Sequence, residues 1–258
     1  RNHRKIIRKY RDKCILFLGE NIRPNIYELP YSISQDFNTY CETNIRLPLW
    51  YLEIDWHKTN LGTIKVNEIE EKLINYGKFV SDDFVNKKDC ITIFNNPEGT
   101  RMYMLKKLKN IMMVETYGKP FSNPLGPSIN SRNFFGKNFP IYSDYKSKIK
   151  KMSDFKFNFC PENSLYPGYY TEKCFHAKLS GCIPIYFADH HVRTDFRKEC
   201  MINIYDYLEF EVLESFLNKI KDDYQYLAKL ANEPLLYKMP KLDSIKNFLY
   251  KSIKKIIF

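Results

Sequence analysis

From Phe155 to Lys173 the chain reads Phe-Lys-Phe-Asn-Phe-Cys-Pro-Glu-Asn-Ser-Leu-Tyr-Pro-Gly-Tyr-Tyr-Thr-Glu-Lys. An apolar strand pattern runs into the Glu162–Asn163 pair and a Pro-Gly turn, and then into a helix that opens Thr-Glu-Lys. In parallel sheets, ligands sit at the carboxyl ends of strands, where helix N-termini point. First-turn amides offer an anion roughly half a positive charge, and Lys173 adds a whole one. Such a corner suits a diphosphate. Glu172, in the same turn, is a carboxylate able to accept hydrogen bonds from ribose or sugar hydroxyls. The plainer use of these residues is capping, with Thr171 as N-cap and Glu172 complementing the helix dipole. Residue chemistry alone leaves both open.

Charge points the same way without choosing a partner. The chain of 258 residues carries a net charge of +11, unevenly spread. Arg101–Lys156 holds 12 Lys and Arg against 3 Asp and Glu, and the first 13 residues hold 7 against 1. That surplus suits phosphate-bearing partners: a nucleotide sugar, an anionic membrane surface or a nucleic acid. The 20 Tyr and 19 Phe fit sugar-holding surfaces, and equally a codon bias. Seven cysteines (14, 41, 90, 160, 174, 182, 200) include no Cys-x-x-Cys pair. Several lie in apolar runs, which predicts reduced, buried thiols and a cytoplasmic protein. His190-His191 reads as a surface pair, since no third metal ligand is in view.

The elements that must position these residues follow from periodicity and turn signals. Strands are expected at Cys14–Leu18, Tyr31–Ser34, Cys90–Phe94, Ile111–Glu115, Lys156–Cys160, Cys182–Phe187 and Met201–Ile204. Helices are expected at Val66–Phe79, Thr100–Asn110, Tyr145–Met152, Thr171–Ser180, Glu209–Lys221, Asp222–Ala231 and Leu242–Ile257. The alternation from Cys90 onward predicts an α/β protein with a parallel sheet flanked by helices. A polar stretch at Val80–Lys88 suggests a division into residues 1–84 and 85–258. Gly118–Pro140, with four prolines and three glycines, reads as one long loop. The last helix has apolar residues at 242, 245, 249, 253 and 256, with Lys246, Lys251, Lys254 and Lys255 mainly opposite. It suits packing on the fold or peripheral contact with the inner face of an anionic membrane. No run reaches the ~18–20 apolar residues of a membrane span. The start, Arg-Asn-His-Arg-Lys, is neither a signal peptide nor an initiator Met, so a fragment is expected.

Taken together, Phe-Asn-Phe-Cys-Pro-Glu-Asn-Ser, Tyr-Tyr-Thr-Glu-Lys-Cys and Gly-Cys-Ile-Pro-Ile-Tyr resemble the donor-binding signature of the α1,3/4-fucosyltransferases. Leu18-Gly-Glu-Asn-Ile-Arg-Pro-Asn, Arg46-Leu-Pro-Leu-Trp-Tyr, Asn95-Asn-Pro with Arg101, and Ile202-Asn-Ile-Tyr-Asp are similar to further family segments in the same order. The resemblance covers roughly residues 14–240. It implies a GT-B-like fold of two facing Rossmann-like domains, an acceptor side in residues 1–84 and a GDP-sugar side in 85–258. Family members carry an earlier βαβ unit, so the N-terminal domain is expected to be incomplete. The implied reaction is inverting transfer of fucose from GDP-fucose to a GlcNAc-containing, N-acetyllactosamine-type acceptor such as a surface glycan or lipopolysaccharide.

Residue by residue, the resemblance makes Glu20 the general base that takes the acceptor hydroxyl's proton. It gives Arg101 to the diphosphate, and Asn163, Tyr169, Glu172 and Lys173 to nucleotide-sugar contacts. Glu162 belongs to the motif as a donor-sugar neighbour or a structural anchor. No Asp-x-Asp triplet, Walker A loop or Gly-x-Gly-x-x-Gly occurs. Phosphate charge would then be met by Lys173, Arg101 and a helix N-terminus, and no metal or other cofactor is expected to be essential. The chain departs from the family pattern at Pro161 and at Phe187-Ala-Asp-His-His, which leaves another GDP-sugar donor open. A non-catalytic glycan- or nucleotide-binding relative is a further alternative. Nucleic acid is not expected as a partner, because the basic stretch alone points to it.

Overall fold

The computed structural model describes residues 9–19, 21–24, 29–37, 43–59, 62–121, 129–132, 138–141 and 145–257. Strands β1 (Ile15–Phe17), β2 (Tyr31–Ser34) and β3 (Asn44–Arg46) form a parallel sheet in that order. Two-residue strands β4 (Ile54–Asp55) and β5 (Ile64–Lys65) pair next. Helix α1 (Asp82–Val85) then leads into β6 (Lys88–Ile93), α2 (Gly99–Leu108) and β7 (Val114–Tyr117). An antiparallel pair, β8 (Ile129–Arg132) and β9 (Asn138–Ile141), precedes α3 (Tyr145–Met152) and β10 (Phe155–Phe159). There follow α4 (Glu172–Leu179), β11 (Ile183–Tyr186), β12 (Ile202–Asn203), α5 (Phe210–Ile220), α6 (Tyr224–Asn232) and α7 (Asp243–Ile257).

The second sheet has the order β12-β11-β10-β6-β7, every pair parallel. Chain order reverses between β6 and β10: the connection from β6 runs one way along the sheet and that from β10 the other. A reversal of this kind opens a crevice at the carboxyl ends of the two strands. Side chains alternate across the sheet as the pleat requires. Cys90 faces a core with Leu105 and Leu108 of α2, Leu213 and Leu217 of α5 and Leu227 of α6. Its neighbour Ile91 faces a core with Met152 of α3 and Phe175 of α4. Trp50, Ile54, Ile64, Ile69 and Leu73 belong to that second core, so residues 50–73 pack on the five-stranded sheet. The division expected at 84/85 falls inside α1, whose Phe84 is fully buried.

Most elements stand within a few residues of where periodicity places them, and three differ for identifiable reasons. The helix expected over Val66–Phe79 shrinks to a 3₁₀ turn at Val66–Glu68 and one π turn at Glu70–Ile74. The chain beyond is strapped to Asn232: Gly77 N–H donates to its carbonyl (2.8 Å), Phe79 N–H to its Oδ1 (2.7 Å), and its Nδ2 to the Phe79 carbonyl (2.8 Å). The strand expected at Ile111–Glu115 starts at Val114, because Ile111 and Met112 close α2 with amides on the Leu108 carbonyl. Within Gly118–Pro140, read as loop, β8 and β9 pair; Pro140 is tolerated because a two-stranded sheet has only edges.

Helix α7 returns to the first sheet. Ile245 and Ser252 are buried, and the Phe248 ring meets Tyr31 edge-on at 6.4 Å. Tyr250, Ile253 and Ile257 remain exposed. Among the described residues, no helix is long and apolar enough to cross a membrane. The six described cysteines are free, five of them buried. Burial pushes the Cys182 thiol up to about 11 and that of Cys200 to about 12, so both stay protonated.

Candidate functional site

At the end of β10 the chain turns Glu162 inward until the residue is almost fully buried. Its carboxylate gathers donors from the start of α4 and from β11. Oε1 accepts from the Thr171 N–H (2.8 Å), the Thr171 hydroxyl (2.9 Å) and the Tyr186 hydroxyl (2.5 Å). Oε2 accepts from Lys173 Nζ at 2.7 Å. Of the two roles expected for Glu162, the geometry fits the anchor: its oxygens face protein donors. Because Thr171 turns its hydroxyl to Glu162, it gives α4 no side-chain cap. The plainer N-cap role for Thr171 is therefore not realised. The first-turn amides stay uncapped by it, as an anion site requires.

Lys173 and Glu172 are half-buried at this helix start. Burial opposes the charge of Lys173, but Glu162 and Glu172 outweigh it and raise the pKa. Burial alone would raise the pKa of Glu172; Lys173 first, and then Lys148, bring it down to about 2. Glu172 is thus an ionised carboxylate with no side-chain hydrogen bond among the described residues. It keeps its acceptor capacity for a ligand's hydroxyls.

Arg101 comes from the other wall of the crevice. It is nearly inaccessible, in the first turn of α2, where the Glu98 carboxylate caps its N–H at 3.0 Å. Nη1 donates to the Asn96 carbonyl (2.9 Å), and Nη2 to the Pro161 carbonyl (3.3 Å) and to Asn163 Oδ1. The guanidinium also lies over the Phe94 ring, 4.7 Å from its centre. Arg101 therefore ties the loop after β6 to the loop after β10, and Nε alone among its nitrogens lacks a partner in the described residues. Burial lowers its pKa, against the pull of Glu162 and Glu98. Tyr169 is buried in the same loop, with its N–H on the Tyr166 carbonyl at 2.9 Å. Arg101, Glu162, Asn163, Tyr169, Glu172 and Lys173 thus collect at one end of the sheet, on both sides of the switch point.

Glu20 lies outside the described residues. Its neighbour Asn21 donates from Nδ2 to the hydroxyl of Ser164, the residue after Asn163. Two residues on, Arg23 Nε donates to the Tyr166 hydroxyl at 2.8 Å. The segment after β1 therefore rests on the loop that carries Asn163 and Tyr169.

A second tie between the sheets was not assigned from residue types. Arg46, at the end of β3, forms a bidentate pair with Asp195, Nη1–Oδ1 2.8 Å and Nη2–Oδ2 2.9 Å. It also donates to the Gly168 carbonyl (3.2 Å) and the Gln35 carbonyl (3.1 Å), while Trp50 Nε1 holds Asp195 at 2.9 Å. Gly168 has φ +92°, and a Cβ there would stand 2.3 Å from the Gln35 carbonyl oxygen. Only glycine fits where the Pro-Gly turn meets the first sheet. The signal was present in the Arg-Leu-Pro and Pro-Gly segments, but a role needs the partner 149 residues away.

Asp189, His190 and His191 bring one ligand atom each within 4.8 Å of one another. Asp189 is already engaged, accepting from the Tyr170 hydroxyl (3.1 Å) and from the N–H and ring nitrogen of His191 (2.8 and 2.9 Å). Asp189 thus supplies a third group beside the histidine pair, one not in view from the sequence, and its carboxylate is already held by Tyr170 and His191.

Residues 86–232 match the family model of the glycosyltransferase family 10 (fucosyltransferase) C-terminal region. The chain is 27% identical over 269 residues to an α-(1,3)-fucosyltransferase of Helicobacter pylori, across 98% of this chain and 53% of that protein. It therefore spans about half the length of that curated relative. It superposes on the crystal structure of an α1,3-fucosyltransferase with a TM-score of 0.70 at 22% identity, covering 97% of this chain and 75% of the other. A structure of an α1,3-fucosyltransferase with GDP-fucose gives 0.63 at 21% identity, over 93% and 74%. At these identities the likeness is one of fold, and it bears out the GT-B-like α/β architecture.

Removing the Glu162 carboxylate leaves Lys173 without its buried counter-charge. Glu162→Ala is expected to cost about 3–5 kcal/mol of stability, against about 1 kcal/mol for the half-buried cap Glu98→Ala. Urea midpoints compare the two; equal shifts would remove Glu162 as the anchor.

Proposed function

The chain belongs to glycosyltransferase family 10, the fucosyltransferases, and from that premise we propose that it transfers fucose with inversion from GDP-fucose to a GlcNAc-containing glycan. The observation that supports this reading best is the corner at the start of α4. There an anchored lysine, uncapped amides and an ionised carboxylate meet on the edge of a switch-point crevice. The diphosphate sits against Lys173 and the α4 amides, and Glu172 accepts from ribose or sugar hydroxyls. Arg101 braces the two loops that form the walls, and its long-range charge favours the leaving group. Asn163 and Tyr169 line the same loop. Glu20 takes the proton from the acceptor hydroxyl as it attacks the anomeric carbon, and the departing GDP needs cations rather than a general acid. No metal is required in this scheme. The acceptor is an N-acetyllactosamine-type end of a surface glycan or lipopolysaccharide, joined by an α1,3 linkage.

Turnover of GDP-fucose against a panel of lactosamine acceptors tests the assignment, using the full open reading frame. Fucosylated product is expected, formed equally with and without EDTA. Glu20→Ala should lower turnover roughly 10²–10⁴-fold. Full activity in that variant would take Glu20 out of the mechanism, and transfer from a different GDP-sugar alone would replace the donor.

We further propose that α7 makes peripheral contact with the inner face of a membrane. Exposed Tyr250, Ile253 and Ile257 of α7 are interleaved with Lys246, Lys251, Lys254 and Lys255. This outer face is apolar and basic while the inner face packs on the first sheet, which suits an anionic surface. Co-sedimentation with anionic phospholipid vesicles is expected, and replacing the four lysines with Glu should abolish it. Unchanged sedimentation of that variant would dismiss the contact.

A further inference from the structure

Beside the corner that holds Lys173, a second lysine is in an unusual position. Lys148 reaches from α3 to the flank of α4, its Nζ 3.0 Å from Nδ1 of the fully buried His176. An ammonium has only donors, so Nδ1 must accept and the ring proton must sit on Nε2. That nitrogen faces Glu53 Oε2 at 2.7 Å, and Thr63 Oγ1 lies 3.3 Å from it. Burial pushes the pKa of His176 down, and Lys148 adds to this against the pull of Glu53 and Glu172, which agrees with a neutral ring. The imidazole therefore separates Glu53 from Lys148 without carrying charge between them.

Lys148 is left as a sheltered cation lacking an ion pair. Lys173 has the Glu162 carboxylate at 2.7 Å, whereas Lys148 forms no ion pair among the described residues. Two of its three N–H groups have no acceptor there. The contrast shows in the pKa directions: burial wins at Lys148 and lowers its value, while carboxylates win at Lys173 and raise it. The charges closest in influence on Lys148 are Glu172, Lys173 and Glu53. His176 stands one helical turn along α4 from Glu172 and Lys173, so Lys148 lies beside the candidate site. A half-buried ammonium with no carboxylate in direct contact is poorly compensated in the empty protein, and gains when an anion arrives.

We propose that Lys148 is a further cation of the donor site, held by His176 and Glu53 so that its free N–H groups meet the pyrophosphate of a nucleoside diphosphate sugar. The assignment rests on the diphosphate reading of the α4 corner. It adds to that corner a second lysine, one hidden in the sequence among Lys146, Lys150 and Lys151.

Calorimetric titration of the whole chain with GDP, and with guanosine, tests it alongside melting curves without ligand. Lys148→Met should weaken GDP binding by about 10- to 100-fold, as expected for one lost charged contact. Guanosine affinity should stay unchanged, and the unliganded variant should melt no lower than the wild type. A purely structural lysine predicts the reverse pattern: a lower melting temperature and equal GDP affinity. That result, or equal weakening for guanosine, overturns the proposal. Failure of the wild type to bind GDP at all would instead remove the parent reading of the site.

Discussion

The whole corner at the start of α4 depends on one buried carboxylate. Glu162 takes up the Thr171 amide and hydroxyl, the Tyr186 hydroxyl and the Lys173 ammonium within a single residue's reach. A charge so far from water persists only with such a complement of donors. By collecting them, it fixes where α4 begins, draws Thr171 away from capping, and holds Lys173 at the helix start. A positively charged helix entrance exists here because a negative one lies behind it.

The sheet topology decides what that entrance faces. Chain order reverses between β6 and β10, the kind of point at which parallel sheets hold ligands in a crevice. Arg101 bridges it from one side through backbone carbonyls and Asn163. The first sheet closes on the same rim by two independent ties, Arg46 to Asp195 and Gly168, and Asn21 with Arg23 to Ser164 and Tyr166. The glycine at 168 lets the two layers approach to backbone distance. The loop after β10 thus meets both the α4 corner and the segment after β1.

Much of this was legible beforehand. Apolar runs flanked by polar turns gave the parallel strands from β6 onward, and the Thr-Glu-Lys opening marked α4 within one residue. The helix over Val66–Phe79 did not materialise because Asn232, far along the chain, holds the Gly77–Phe79 backbone by three hydrogen bonds. Periodicity cannot register such a partner. For the same reason Glu162 was left between two roles, and Arg46 had none: each depends on who stands opposite. Lys148 was one lysine in a basic run until the fold set it beside a neutral histidine.

The most direct test of the central claim is a crystal structure of the chain with GDP. The diphosphate should lie within hydrogen-bonding distance of Lys173 Nζ and the first-turn amides of α4, with Glu162 still paired behind the lysine. Phosphates bound elsewhere, with the α4 entrance left to solvent, would contradict it.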